Sequence, residues 1–157
     1  MGDVGELNRR YAAIDEGAAL VAETLRRSAG DPGPYRLQAA IAACHATSPS
    51  YDATDWHEIA ELYRLLELQA PSPVVSLNRA LAVAEHDGPA ASLALVDAVE
   101  GLDGFHLWHA ARADLLRRLG RDDEAARAYR TALAREPSPA ERRFLARRLA
   151  EVTRSLT

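Results

Sequence analysis

Lysine is missing from this chain: all 19 basic residues are arginine. Arginine favours bidentate pairing with carboxylates, but its exclusive use marks no site by itself. Cysteine is nearly missing too. With Cys44 alone, an internal disulfide is excluded, and the usage suits a reducing, cytoplasmic setting. Aromatic residues make up only 6% of the chain, and runs of Val, Ile and Thr are too sparse to offer a strand. No apolar run approaches the ~20 residues that a membrane span requires, and the N-terminus lacks a signal-peptide core. There is no glycine-rich phosphate loop, no His-Glu-x-x-His and no Cys-x-x-Cys spacing.

What is present is Ala- and Leu-rich. The 157 residues are 48% apolar and 27% charged, enough for one domain or a short repeat array that buries roughly 70% of its unfolded surface. The net charge of −4 is unevenly spread. Residues 1–100 carry 7 arginines against 15 acids, giving −8, and residues 101–157 carry 12 against 8, giving +4. The sign argues against nucleic acid as the main ligand. The asymmetry fits a protein partner, or another part of a longer polypeptide.

The organising stretch runs from Phe105 to Pro139. It reads as two helices, His106 to Leu119 and Asp122 to Glu136, joined at Gly120, with Pro137 as the stop. Gly120 is free to take a positive φ, Ala125 and Ala132 allow close helix approach, and Tyr129 fills the gap between them. These are the spacings of a tetratricopeptide unit, which needs neighbours to bury its faces.

The rest of the chain supplies neighbours. An amphipathic helix is expected over 6–29, ended by Gly30-Asp-Pro-Gly-Pro34, so that 1–33 forms a leading helix and hinge ahead of a repeat domain over 34–157. Helix 35–47 is apolar almost all round, which predicts a buried helix. Asp55 is placed to cap a helix over 55–69 with Glu58 in capping-box register, burying Trp56, Ile59, Tyr63 and Leu66. Ser72 and Pro73 open helix 73–87, with Val74, Leu77, Leu81 and Ala84 inward. Gly88-Pro89 turns into helix 89–100, with Leu93, Val96 and Val99 inward. Ser138-Pro139-Ala-Glu141 is a capping box for helix 140–155, whose stripe is Phe144, Leu145, Leu149 and Val152 and whose charged back suits a terminal cap. Three pairs recur, 35–69, 73–100 and 105–136, in the register Leu37-Gln-x-Ala40, Leu77-Asn-x-Ala80, Trp108-His-x-Ala111, at intervals of 40 and 31 residues. The fold class is therefore all-α, a right-handed helical repeat of about three pairs with leading and capping helices.

No residue set supports catalysis or a cofactor. His106 and His109 share a face but lack a ligand set, so packing or capping roles suit them better than a metal. Cys44 and His45 are adjacent on a helix and point about 100° apart, which excludes a thiol–base pair. The run Arg142, Arg143, Arg147, Arg148 reads as a solvated cap face in preference to a nucleic-acid or acidic-partner contact. Gln38, Asn78 and His109 follow the leading Leu or Trp of each first helix, with Arg79, Arg112 and Asp114 close in sequence. Two readings remain open: a polar ladder lining a concave binding groove, or hydrogen-bond partners that hold repeats together.

Four segments carry a family resemblance: Gly33-Pro-Tyr-Arg-Leu-Gln-Ala-Ala-Ile-Ala-Ala-Cys-His-Ala46, Thr54-Asp-Trp56, Pro71-Ser-Pro-Val-Val-Ser-Leu-Asn-Arg-Ala80 and His109-Ala-Ala-Arg-Ala-Asp-Leu-Leu-Arg-Arg-Leu-Gly120. From Ala12 to Leu149 the chain resembles the tetratricopeptide-like C-terminal extension of bacterial extracytoplasmic-function RNA polymerase sigma factors. In that family the polymerase-binding and promoter-reading segments lie upstream, and nothing in this chain resembles them. The resemblance implies a non-catalytic regulatory module that docks onto sigma core domains or the polymerase, without sequence-specific DNA binding of its own. A small-molecule sensor and a generic peptide-binding scaffold are the alternatives.

Overall fold

A computed structural model describes residues 33–157. The expected helix over 6–29 and the first part of the hinge lie outside the described residues. Within them the chain forms seven helices and no strand, so the described part is all-helical as the composition predicts. No described helix is long and apolar enough to cross a membrane. The chain divides into two compact units, Met1–Pro71 and Ser72–Thr157, at the Ala70-Pro-Ser-Pro73 punctuation.

The described part of the first unit is the helix pair α1 (Pro34–Thr47) and α2 (Trp56–Gln69), which pack on one another. Pro34 takes the first helical turn, where its missing N–H has no consequence. α1 departs from the all-round burial expected of it. Only Leu37, Ala40 and Ile41 are buried, while Tyr35 is 89% exposed. Alanine is a strong helix former whether buried or not, so a run of alanines fixes the helix but not its burial. In α2, Asp55 accepts from the Glu58 backbone N–H at 3.0 Å, although Glu58 does not return the bond. Ile59, Ala60, Leu62 and Leu66 are buried, whereas Trp56 and Tyr63 are only half-buried.

The second unit holds α3 (Pro73–Asp87), α4 (Pro89–Ala98), α5 (His106–Arg118), α6 (Asp122–Leu133) and α7 (Pro139–Ser155), each packed on the next. Ser72 caps α3 by accepting from Val75 N–H at 3.1 Å. Gly88, at φ +91°, makes the α3–α4 corner, a conformation that glycine adopts without strain. Leu77, Ala80 and Ala84 face Leu93 and Val96 in one core cluster, but Val74 is 45% exposed and turns away from it. Ser92 is wholly buried, and its hydroxyl donates to the Ala80 carbonyl at 2.6 Å. That bond stitches α4 to α3 and satisfies the buried polar group.

The α5–α6 corner forms as its residues dictate. Gly120 adopts φ +71°; Ala125 and Ala132 are fully buried and Tyr129 is 1% exposed. α6 ends at Leu133, earlier than the expected Glu136, and Glu136 itself takes φ +56°. A proline disfavours helical backbone in the residue before it, so the chain leaves the helix before Pro137. α7 opens with a complete capping box: Ser138 Oγ accepts from Glu141 N–H at 3.3 Å, and Ser138 N–H donates to Glu141 Oε2 at 2.8 Å. α7 buries Leu145 and Val152, with Leu149 packed beside them. Phe144 does not join them; it remains 44% exposed.

Candidate functional site

The six residues singled out from sequence lie on three helices, α1, α3 and α5. Gln38 is an exposed residue of α1, in the first unit. Asn78 and Arg79 are half-buried on α3. His109, Arg112 and Asp114 lie on α5. Of the six, His109 and Arg112 come together. They line a groove of about 340 Å³ with Trp108 on α5 and Glu124, Arg127, Ala128 and Thr131 on α6.

Helical spacing builds this groove. Residues 108, 109 and 112 fall on one face of α5, and 124, 127, 128 and 131 follow i, i+3, i+4, i+7 along α6. The small Ala128, 6% exposed, keeps the floor low. Trp108 is anchored through its indole N–H, which donates to the Val96 carbonyl at 3.0 Å. His109 stands edge-on to Trp108, with ring centroids 4.8 Å apart. Its Nε2 donates to the Asp103 carbonyl at 2.7 Å, so a neutral ring keeps its proton on Nε2 and leaves Nδ1 as an acceptor.

The charged rim is mostly committed to the fold. Arg112 Nε donates to Asp97 Oδ1 on α4 at 2.7 Å. Arg121 grips Glu124 with two bonds of 2.8 and 2.7 Å. Those bonds, helped by the Arg127 and Arg112 charges, hold the Glu124 carboxyl below the usual carboxylate range. Arg127 differs: its side chain is exposed and enters no ion pair among the described residues, while its carbonyl accepts from Thr131 Oγ1 at 3.1 Å. Among the described residues the groove thus offers one guanidinium outside any ion pair, one aromatic wall and a floor of small residues. That arrangement suits a carboxylate or backbone carbonyl on a peptide-like ligand. No serine or cysteine lines it.

Asp114 points elsewhere. It accepts from Arg117 at 2.6 Å and lies beside the Tyr129 hydroxyl, whose ionisation is pushed up first by burial and then by Asp114. His106 Nε2 approaches Glu141 Oε2 to 2.9 Å, linking α5 to the α7 capping box. Both histidines on this helix therefore have positions in the fold. Among the described residues no cluster of three or more His, Cys, Asp or Glu is placed to hold a metal ion. Cys44 is a half-buried thiol whose pKa is raised to about 11, mainly by burial and then by Glu58 and Asp55. It is the reverse of an activated nucleophile.

Glu124 and Arg127 read from sequence as an i, i+3 ion pair on a solvated face, but Glu124 pairs with Arg121 instead, and neither they nor Thr131 were assigned to a site. Their signal was present in the periodicity of 122–133, whose polar face lies beside the Ala125–Tyr129–Ala132 core stripe.

Comparison with known proteins places one relative beside this chain. An uncharacterized protein of Rhizobium meliloti (strain 1021) is 44% identical over 133 residues. The match covers 84% of this chain and 31% of that protein, so the chain spans about a third of its relative's length. No family model matches, and no solved structure matches.

Proposed function

We propose that this chain is a non-catalytic protein-interaction module of the tetratricopeptide-like, right-handed repeat type, with about three helix pairs and leading and capping helices. On this reading it regulates an RNA polymerase sigma factor by docking onto the sigma domains or the polymerase. The observation that carries the reading is the α5–α6 groove, an open recess whose aromatic wall is fixed by Trp108 and whose rim carries Arg127, exposed and outside any ion pair among the described residues. A rigid helical scaffold presenting such a recess suits recognition of a protein segment by side-chain contacts. The packing of Ala125, Tyr129 and Ala132 around Gly120 supports the repeat assignment, and the four sequence segments quoted above support the sigma-factor context.

Mixing the purified chain with separately purified core polymerase and sigma fragments, followed by size-exclusion chromatography, tests this function. Co-elution with one of them is the expected result. Elution of the chain alone from every mixture, at concentrations of about ten micromolar, would contradict it.

A further inference from the structure

The outer face of α7 carries a stripe that the fold does not use. Arg142, Arg143 and Arg147 are exposed, and none of their guanidiniums enters an ion pair or hydrogen bond among the described residues. Phe144 sits beside Arg143 and Arg147, with Arg142 turned away from it around the helix; it is 44% exposed, with the Arg148 Cζ 5.4 Å from its ring centroid. Arg148 is itself held by Glu151 at 2.9 Å. Phe144, Arg147, Arg148 and Glu151 enclose a shallow recess of about 200 Å³.

We propose that this face docks an acidic amphipathic helix of a protein partner, with carboxylates on Arg143 and Arg147 and an aliphatic side chain in the recess beside Phe144. Positions 143, 144, 147, 148 and 151 share one helix face. Arg143 and Arg147 stand one turn apart, roughly 6 Å along the axis, which matches carboxylates at i and i+4 on a partner helix. Charge complementarity sets the sign of the partner, because residues 101–157 carry +4. Solvation alone accounts for exposed arginines. Phe144 adds an apolar edge beside them, 44% exposed where Leu145 and Val152 on the same helix are each 2% exposed, so the face offers a partner an aromatic contact as well as charge. A nucleic-acid duplex fits the face less well. Glu151 lines the recess, and the two free guanidiniums of this face, roughly 6 Å apart along the axis, reach only about two phosphates. The proposal stands on α7 alone and is independent of the groove between α5 and α6.

The test uses the full chain and a fluorescent 20-residue amphipathic peptide that carries leucines on one face and glutamates at i, i+4 beside them. Controls are the same peptide with every Glu replaced by Gln, and a 20-base-pair duplex. The expected result is binding of the Glu peptide that weakens by about tenfold or more in Arg143→Ser/Arg147→Ser and in added salt. Phe144→Ala should weaken it severalfold, with circular dichroism unchanged in both variants. Four results would overturn the proposal: no binding of the Glu peptide near about 1 mM, equal binding of the Gln peptide, equal binding by the arginine variant, or displacement of the peptide by the duplex. A concentration-dependent dimer that the arginine variant abolishes would also overturn it, by assigning the face to a second copy of this chain.

Discussion

Arg112 on α5 donates from Nε to Asp97 Oδ1 on α4 at 2.7 Å. One of the two groove cations is therefore already part of the fold, whereas Arg127 enters no ion pair among the described residues. The pair is partly open to water, with side chains 28% and 44% exposed, so solvent screens most of its attraction. A double-mutant cycle of Arg112→Ala and Asp97→Ala in urea unfolding should give a coupling of about 0.5–1 kcal/mol. A coupling well above about 2 kcal/mol would mean that the pair holds α4 and α5 together and is no rim contact.

Tyr129 acts through its ring more than its hydroxyl. It is 1% exposed, and no group meets its Oη in hydrogen-bonding geometry although the Arg117 guanidinium lies beside it. Tyr129→Phe should change stability by less than about 1 kcal/mol. Tyr129→Ala should cost about 3–5 kcal/mol through the cavity it leaves between α5, α6 and α7. Chemical denaturation compares the two, and similar losses would refute the packing account.

The Cys44 thiol should be sluggish. With its pKa raised to about 11 from an ordinary 9, the thiolate fraction near neutral pH falls roughly 100-fold. Alkylation by iodoacetamide at about pH 8 should lag a small free thiol by a comparable factor, and recover on unfolding. Labelling as fast as a free thiol would contradict the burial of this group.

Acid should destabilise the second unit. The Glu141 carboxyl is held below the usual range, first by the Ser138 backbone N–H and then by the Ser138 side chain; Glu124 and Glu151 are lowered by Arg121 and Arg148. A carboxylate depressed in the folded state contributes stability above its unfolded pKa of about 4.3, and loses it as pH falls through the lower folded value. The Tm should therefore drop on acidification below about pH 4. Glu141→Gln should start from a lower Tm at neutral pH and show a shallower acid drop. Parallel acid profiles for the two proteins would sink the capping-box account.

Much of the fold was legible where local chemistry decides it. Ser72-Pro73, Gly88-Pro89, Gly120 and Ser138-Pro139-Ala-Glu141 each carry their turn or cap in the residues themselves, and α3 spans the expected 73–87. Burial was less legible. Val74 and Phe144 lie at the edge of their helices' apolar stripes and face outward, because a stripe's width depends on which neighbour it meets. Ser92 looks like surface in sequence, but its bond to the Ala80 carbonyl makes it core. The candidate groove was legible only in part: His109 and Arg112 stand out from their place on α5, while Glu124, Arg127 and Thr131 do not, because polar and charged residues on an amphipathic helix ordinarily face water. Gln38 lies in the first unit, and sequence register gives it a helix face without a partner.

The central claim is that the α5–α6 groove docks a protein partner through residues the fold does not need. Its most direct test is isothermal titration calorimetry of the chain against the purified sigma fragment or core polymerase, comparing the parent with Arg127→Ala/Thr131→Ala. The account predicts a Tm within about 2 °C of the parent, since these are surface changes, and affinity weakened by about tenfold or more. Undiminished affinity in that double variant would contradict it.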